Sequence, residues 1–265
     1  MTLRLAALFA KELRSLFASP IAYVVLTAYV ALSGVYFFQH LLNYNRLLFV
    51  FQGEKLGSSG FDSGTIPLQV NSLNELFIPA ANDFSLFLLA VLPLVTMRVF
   101  AEERAQGTDE LLLTTPLRSW ELALAKHVGT YCFVLLMLAA SALFPTIVVT
   151  RGSLGVEHLL ALYLGQAAFG LAIASIGLAC SSLTRSQIVA AVVAYAIPFV
   201  LLDFGWLEPL LSAEVAVLLR EAALQGHLES FTRGVIEARD QVYFAGLTVL
   251  GLTISVAATD LVKAR

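Results

Sequence analysis

The chain alternates between long apolar runs and shorter polar connections. A transmembrane helix needs roughly 20 mostly apolar residues, and most of these runs approach or exceed that length. We predict six transmembrane helices, at residues 21–42, 80–97, 128–150, 159–183, 188–202 and 242–258. Pro198 interrupts the fifth, because proline removes a backbone hydrogen bond from a helix. An even number of spans places both chain ends on one side of the membrane.

The N-terminal segment 1–20 has a different pattern, in which apolar and basic residues occupy opposite helical faces. The apolar positions are Leu5, Phe9, Leu13 and Leu16, and the opposite positions are Arg4, Lys11, Arg14 and Ser15. The dipeptide Ser19-Pro20 ends this helix, because proline disfavours helical geometry in the residue before it. Such a basic amphipathic helix is typical of segments that lie in the membrane interface.

Composition supports an all-α integral membrane protein with a single transmembrane domain over residues 1–265. Hydrophobic residues make up 58% of the chain and charged residues 13%, whereas soluble domains carry about 25% charged residues. Lipid must therefore cover much of the surface. The net charge of -3 argues against a nucleic-acid partner. Cys132 and Cys180 lie within apolar runs and indicate neither a disulfide framework nor a metal site.

The distribution of positive charge predicts the orientation. Ten of the 16 Lys and Arg residues lie in the termini and in the connections 98–127 and 184–187, and six lie on the other side. The ten also occupy the shorter total length of chain. By the positive-inside rule, both termini are expected in the cytoplasm.

The cytoplasmic stretch 98–127 contains several helix-boundary signals. Gly107 is a natural helix stop, and Thr108 is a good N-cap for a following helix. Glu110 then lies where an acid favours the helix dipole, and Thr115-Pro116 opens a further helix. The pattern predicts a short helix across the cytoplasmic face, which a soluble partner could grip. An ordinary solvated loop is the alternative.

The outer segment 204–241 is too charged to span a membrane and too apolar to be fully solvated. Its apolar residues at helical spacing are Leu228, Phe231, Val235 and Ile236, and its potential ion-pairing residues are Glu229, Arg233 and Glu237. Asp240 comes just before the last predicted span. The segment fits either a helix on the outer surface or a helix that dips into the bundle as a gate, where protein shields its backbone.

Two other patterns leave alternatives open. The outer connection 43–79 contains a glycine and serine cluster, which predicts a flexible external loop, either a mobile linker or a binding loop. The fourth predicted span is rich in small residues, including Gly165, Gly170 and Gly177. Small residues permit close helix approach, either at a subunit interface or moving seam, or within this chain.

Three stretches resemble the ABC-2 type permeases, in the branch associated with gliding motility. The first is Met97-Arg-Val-Phe-Ala-Glu-Glu-Arg-Ala-Gln-Gly-Thr-Asp-Glu-Leu-Leu-Leu-Thr-Thr-Pro116. The second is Lys11-Glu-Leu13 followed by Phe17-Ala-Ser-Pro20. The third is His227-Leu-Glu-Ser-Phe-Thr-Arg-Gly-Val-Ile-Glu-Ala-Arg-Asp-Gln-Val-Tyr-Phe244. The resemblance extends over essentially the whole chain.

The resemblance implies a type V exporter-like permease in the bacterial cytoplasmic (inner) membrane. It implies six spans, a second permease subunit that is identical or homologous, and two ABC ATPase subunits carrying ATP and magnesium. The ATPase-coupling residues would be Glu102, Glu103, Arg104, Gly107, Thr108, Glu110 and Leu111. The outer gate residues would be Glu229, Phe231, Arg233, Gly234 and Asp240. Alternating access is the implied mechanism, with membrane lipids around the subunits.

The sequence itself indicates a division of labour between chains. It contains no phosphate-binding loop of the Gly-x-x-x-x-Gly-Lys-Ser/Thr type, so ATP hydrolysis is expected on a partner, and no cofactor is expected in this chain. Catalytic motifs such as His-Glu-x-x-His and Gly-x-Ser-x-Gly are also absent, which argues against a membrane enzyme. The remaining alternative is a membrane anchor or scaffold for an extracellular or motility-related complex that moves no cargo.

Overall fold

A computed structural model describes residues 2–57, 71–107, 118–151, 155–204 and 212–263, and throughout these ranges the regular structure is helical. A π-helical turn, Leu73–Phe77, leads directly into the third helix. The helices are α1 Thr2–Ala18, α2 Pro20–Gly57, α3 Ile78–Ala105, α4 Ser119–Ser141, α5 Leu143–Val149, α6 Val156–Leu183, α7 Gln187–Leu202, α8 Ala213–Ala222, α9 Leu224–Thr232 and α10 Ala238–Lys263.

Within the described ranges, five helices are long and apolar enough to cross a membrane. They are α2, α3 with its π-helical turn, α4, α6 and α10. The fifth predicted span corresponds to α7, which is apolar but has only 16 residues. The chain is therefore a multi-pass membrane protein whose described part is helical, and five of its described helices are long enough to span the bilayer.

Helix α2 is much longer than its predicted span. It continues to Gly57 for a total of 38 residues, so the prediction of a loop beginning at Asn43 is wrong for residues 43–57. The helix continues because residues 47–51 are uninterrupted apolar residues and no proline follows within it. Residues 58–70, which hold most of the glycine and serine cluster, lie outside the described residues.

The predicted third span is divided at Ala142 into helices α4 and α5. Pro145 has no N–H to donate to the carbonyl of Ser141, four residues earlier, so the regular ladder is interrupted there. The Ser141 hydroxyl also donates to the Leu138 carbonyl at 2.9 Å. This interruption gives the third predicted span a short second helix, α5.

Helix α6 lies at the centre of the bundle and packs against α3, α4, α7, α9 and α10. Its small residues face neighbouring helices of the same chain: Gly165 meets Phe231, Gly170 meets Val134 and Gly177 meets Thr96. Of the alternatives for these small residues, close packing within the chain is the one observed. By contrast, only 28% of the apolar windows of α2 and α10 is buried, as expected of helices that face lipid or another subunit.

Candidate functional site

The membrane end of the bundle that carries the chain's start is organised around the last turns of α3. Arg98 makes a two-pronged ion pair with Glu102, with nitrogen–oxygen distances of 3.0 and 2.6 Å. It also donates to the Ser19 hydroxyl at 2.8 Å, in the elbow between α1 and α2. Planar, bidentate pairs of this kind fix geometry as well as charge. Arg98 therefore ties α3 to the α1–α2 elbow.

A second set of ion pairs at this end of the bundle is centred on a buried lysine. Lys126 of α4 is 1% exposed, and its ammonium group has three acceptors: Glu103 at 2.7 Å, the Val99 carbonyl at 2.8 Å and Glu12 at 3.3 Å. An ammonium group has three N–H donors, so this set satisfies all of them. One charge thus joins α1, α3 and α4.

Lys11 extends this ion network to the surface. Its side chain is 43% exposed and pairs with Glu103 at 2.7 Å and with Glu12 at 3.0 Å. Burial lowers the pKa of Lys11, but the hydrogen bond to Glu103 and the charges of both carboxylates outweigh burial and raise that pKa above its ordinary value. Lys11 therefore stays charged over the physiological pH range, and its stabilising pairing would weaken only in strongly alkaline solution.

The other side of α3 contacts the ends of α6 and α10. Arg104 donates to the carbonyl oxygens of Ser182 in α6 and Ala258 in α10. Ser182 lies in the last turn of α6, where carbonyls lack helical partners and a cation is favourable. The end of α3 is consequently bonded to four helices, α1, α4, α6 and α10.

The predicted coupling residues fall into two groups. Glu102, Glu103 and Arg104 belong to these internal bonds, and Gly107 ends α3 as predicted, with a φ of 69°. Thr108, Glu110 and Leu111 lie outside the described residues, as does most of the predicted short helix. The role of all seven in contacting an ATPase stays a prediction.

Sequence reasoning missed Glu12 and Lys126. The apolar stripe predicted for α1 omits Glu12, yet Glu12 is 5% exposed and faces α4. At Gly129 a Cβ atom would lie 3.2 Å from the Cβ of Glu12, so the glycine lets α1 approach α4 closely. The sequence signal that could have identified Glu12 is that it is the single acid on a helix whose other charged residues are basic.

At the opposite end of the bundle, α9 packs inside the helix bundle. Leu224, Leu228 and Phe231 are buried in the main core, and Phe231 rests on Gly165 of α6. The sequence left two alternatives for segment 204–241, a surface helix and a helix that dips into the bundle, and α9 matches the second. The apolar face does not continue, because α9 ends at Thr232 and Gly234 has a φ of 82°. Val235 and Ile236 are accordingly exposed.

A histidine–aspartate pair anchors α9 to the start of α10. Asp240 lies in the first turn of α10 and is 0% exposed. Its carboxylate accepts from Ser230 and lies 2.7 Å from Nδ1 of His227. Nε2 of His227 lies 2.8 Å from the Glu221 carbonyl, and because a carbonyl can only accept, Nε2 is the donor in that bond. The ring also stacks on Tyr243, with centroids 3.9 Å apart.

The predicted gate residues are thus not one cluster. Phe231 is in the core, Asp240 is in the buried pair with His227, and Gly234 closes the turn against His158. Glu229 and Arg233 form the predicted pair at an exposed surface, whereas Glu237 lies beyond the helix end. His227 was missed, because its separation of 13 residues from Asp240 crosses a helix end and matches no spacing within one helix.

Comparison with known families identifies the group to which this bundle belongs. A family model described as ABC-2 family transporter protein matches residues 52–209, more than half of the chain. The match includes α3, α4, α6 and α7, and it excludes α1 and the segment with α9 and α10. None of the curated proteins matches the chain in sequence. The chain belongs to the ABC-2 family of transporter proteins, and it is a multi-pass membrane permease subunit of an ABC transporter rather than an enzyme.

Proposed function

We propose that this subunit forms the translocation path of an ATP-driven exporter in the bacterial cytoplasmic membrane. Two such subunits, identical or homologous, would work with two ATPase subunits by alternating access. Both termini would be cytoplasmic, α7 would serve as a short sixth span, and α1 would lie in the membrane interface. The branch associated with gliding motility is the one we propose for it.

The observation that carries this proposal is the bonding at the end of α3. A force applied just beyond Gly107 would reach α1 and α4 through Glu103, and α6 and α10 through Arg104. Packed helices with specific ion pairs move as units rather than deform continuously. In this proposal Glu102, Glu103 and Arg104 transmit motion, while Thr108, Glu110 and Leu111 meet the ATPase.

The 16-residue helix α7 supports the sixth-span assignment by its composition and its ends. It would extend about 24 Å, somewhat less than the roughly 30 Å hydrocarbon core. Its exposed side chains are apolar, including Ile188, Val192 and Phe199. Ser186 caps one end and Asp203 follows the other. Local thinning of the bilayer accommodates a short span at modest cost.

Co-purification tests the coupling assignment. A double substitution, Glu110→Lys with Leu111→Ser, is expected to lose the ATPase subunit on extraction in mild detergent, or to keep it with ATP hydrolysis no longer stimulated. The reason is that both substitutions change residues that we propose to contact the ATPase directly. The measurement is ATPase recovery and activity after affinity purification.

The matched control is Glu214→Lys, an exposed charge reversal in α8, which should retain the partner at the wild-type level. If the wild-type chain brings down no nucleotide-hydrolysing subunit, the anchor or scaffold alternative replaces the exporter proposal. If the double variant binds and couples normally, the coupling residues lie elsewhere.

Thiol accessibility tests the outer gate assignment. In a background without Cys132 and Cys180, Leu228→Cys should resist a membrane-impermeant maleimide, because Leu228 is 3% exposed. Adding Asp240→Asn should make it react at least about tenfold faster, because this substitution weakens the anchor to His227. Lowering the free energy of local opening by about 1.4 kcal/mol raises the exposed population tenfold. The measurement is the labelling rate in intact membranes.

Glu229→Cys serves as the neighbouring control, because Glu229 has a side chain that is 57% exposed and should react rapidly in every background. ATP turnover in the complete transporter should also expose Leu228→Cys if α9 is the gate. If Leu228→Cys stays unlabelled during ATP turnover, α9 does not open and is not the gate.

A further inference from the structure

A groove lies between α1 and α3 at the end of the bundle where the chain begins. Its volume is about 680 Å³, within the range of roughly 300–1,000 Å³ typical of small-molecule sites. One wall is a stripe of α1 containing Lys11, Ser15 and Ala18. The other wall is formed by residues that are spaced four apart along α3 and its C-cap, namely Leu94, Arg98, Glu102 and Gln106.

The groove is polar at one end and apolar at the other. The ion network of Lys126 forms its floor toward the aqueous end, while Leu16, Ile21, Leu94 and Val95 line it toward the membrane. Leu94 is itself exposed at the bundle surface, so the apolar end is open to lipid. A ligand that fits must be amphipathic and must enter from the bilayer.

Arg98 supplies unused hydrogen-bond donors at the boundary between the two ends. Its three bonds within the described chain engage Nε and one N–H on each terminal nitrogen, and a guanidinium has five N–H groups. Two donors thus remain, next to the Ser19 hydroxyl, which accepts from Arg98 and can itself donate through its own proton. Such a set suits phosphate oxygens.

The charge of the groove selects among phospholipids. Three cations line it, Lys11, Arg98 and Lys126, and three carboxylates balance them, Glu12, Glu102 and Glu103. A net-negative headgroup therefore gains no overall attraction. In a headgroup that carries both a phosphate and a primary ammonium, the phosphate can pair with Arg98 and the ammonium with the part-exposed Glu102.

We propose that this groove binds one zwitterionic phospholipid with a primary ammonium headgroup, such as phosphatidylethanolamine, with its phosphate on Arg98 and its ammonium at Glu102. The proposal requires only that the chain spans a membrane, and it is independent of the direction of transport. The bound lipid fills the space between α1 and α3 and so holds the elbow at Ser19 against the end of α3.

Native mass spectrometry of the full-length protein released from mild detergent tests this. Added phosphatidylethanolamine should be retained as one lipid per chain, whereas phosphatidylglycerol and soluble glycerophosphoethanolamine should bind at least about tenfold more weakly. Ala18→Phe should abolish retention, because Ala18 is exposed and lines the groove. Ala139→Phe, an exposed α4 position outside the groove, should retain the lipid.

A charge change tests the headgroup assignment separately. Glu102→Gln keeps the side-chain shape and gives the groove a net positive charge, so phosphatidylglycerol should now bind at least as well as phosphatidylethanolamine. Equal retention by Ala18→Phe and wild type would overturn the site. Equal binding of both lipids by wild type would overturn the headgroup assignment. Equal binding of soluble glycerophosphoethanolamine would make this a site for a soluble phosphate compound, not a lipid.

Discussion

Replacing Lys126 with methionine is expected to be among the most damaging single substitutions in the chain. The change removes the fully buried cation between Glu12 and Glu103. Glu12 and Glu103 then lose their buried cation and share only Lys11, which is 43% exposed. Breaking a buried ion pair on one side typically costs about 3–5 kcal/mol. The thermal unfolding midpoint and the yield of monodisperse protein in detergent measure the effect.

Lys11→Met is the matched control, since Lys11 pairs with the same two carboxylates but is 43% exposed. Exposed pairs contribute roughly 0–1 kcal/mol, so this variant should remain close to wild type. Adding Glu12→Gln and Glu103→Gln to Lys126→Met should recover much of the loss, because no buried charge is then left unpaired. If Lys126→Met and Lys11→Met are equally stable, the ion network does not hold α1 in place.

Gly251→Ala is expected to destabilise the bundle by about 1–3 kcal/mol, the usual cost of overpacking. A Cβ at Gly251 would lie 2.6 Å from the backbone carbonyl oxygen of Ser175 in α6. A side chain can rotate away from such a clash, but a helix backbone cannot, so α10 must move from α6. The hydrogen bond from Ser175 to the Thr248 carbonyl, 3.2 Å long, would lengthen with it. The unfolding midpoint again reports the change.

Gly246→Ala provides the comparison on the same helix, because no neighbouring atom lies within 4 Å of the place that a Cβ atom would take there. Alanine at this position should be neutral or stabilising by up to about 1 kcal/mol. A loss at Gly246→Ala as large as at Gly251→Ala would show that helix backbone freedom, and not the approach of α6, decides the outcome.

The positions of the spans could be predicted from sequence because lipid imposes a simple rule. Every backbone polar group must be satisfied within the membrane, so a long apolar run must be a helix. The ends of helices follow weaker rules. Residues 43–57 stay helical although they carry Asn43, Asn45 and Gly53, and a single Pro145 divides the third span.

The candidate site could be predicted only where its signal is local. Gly107 stops α3 as its type suggests, and Glu229 pairs with Arg233 one turn away. Glu12 and Lys126 are 114 residues apart, and their pairing depends on how three helices pack. A sequence shows that both charges are costly to bury, but only the fold shows that each is the other's compensation.

The length of α2 has a mechanical consequence. Its 38 residues form a rod of about 57 Å, whereas a bilayer with its headgroups is about 40–45 Å thick. Even at a typical tilt of about 20°, the rod projects roughly 10 Å beyond the headgroups. Its base at Pro20 adjoins the elbow that Arg98 holds. A pivot of about 10° there would sweep the far tip, at Gly57, through about 10 Å, so the subunit carries a lever arm that magnifies small displacements at one face into large ones at the other.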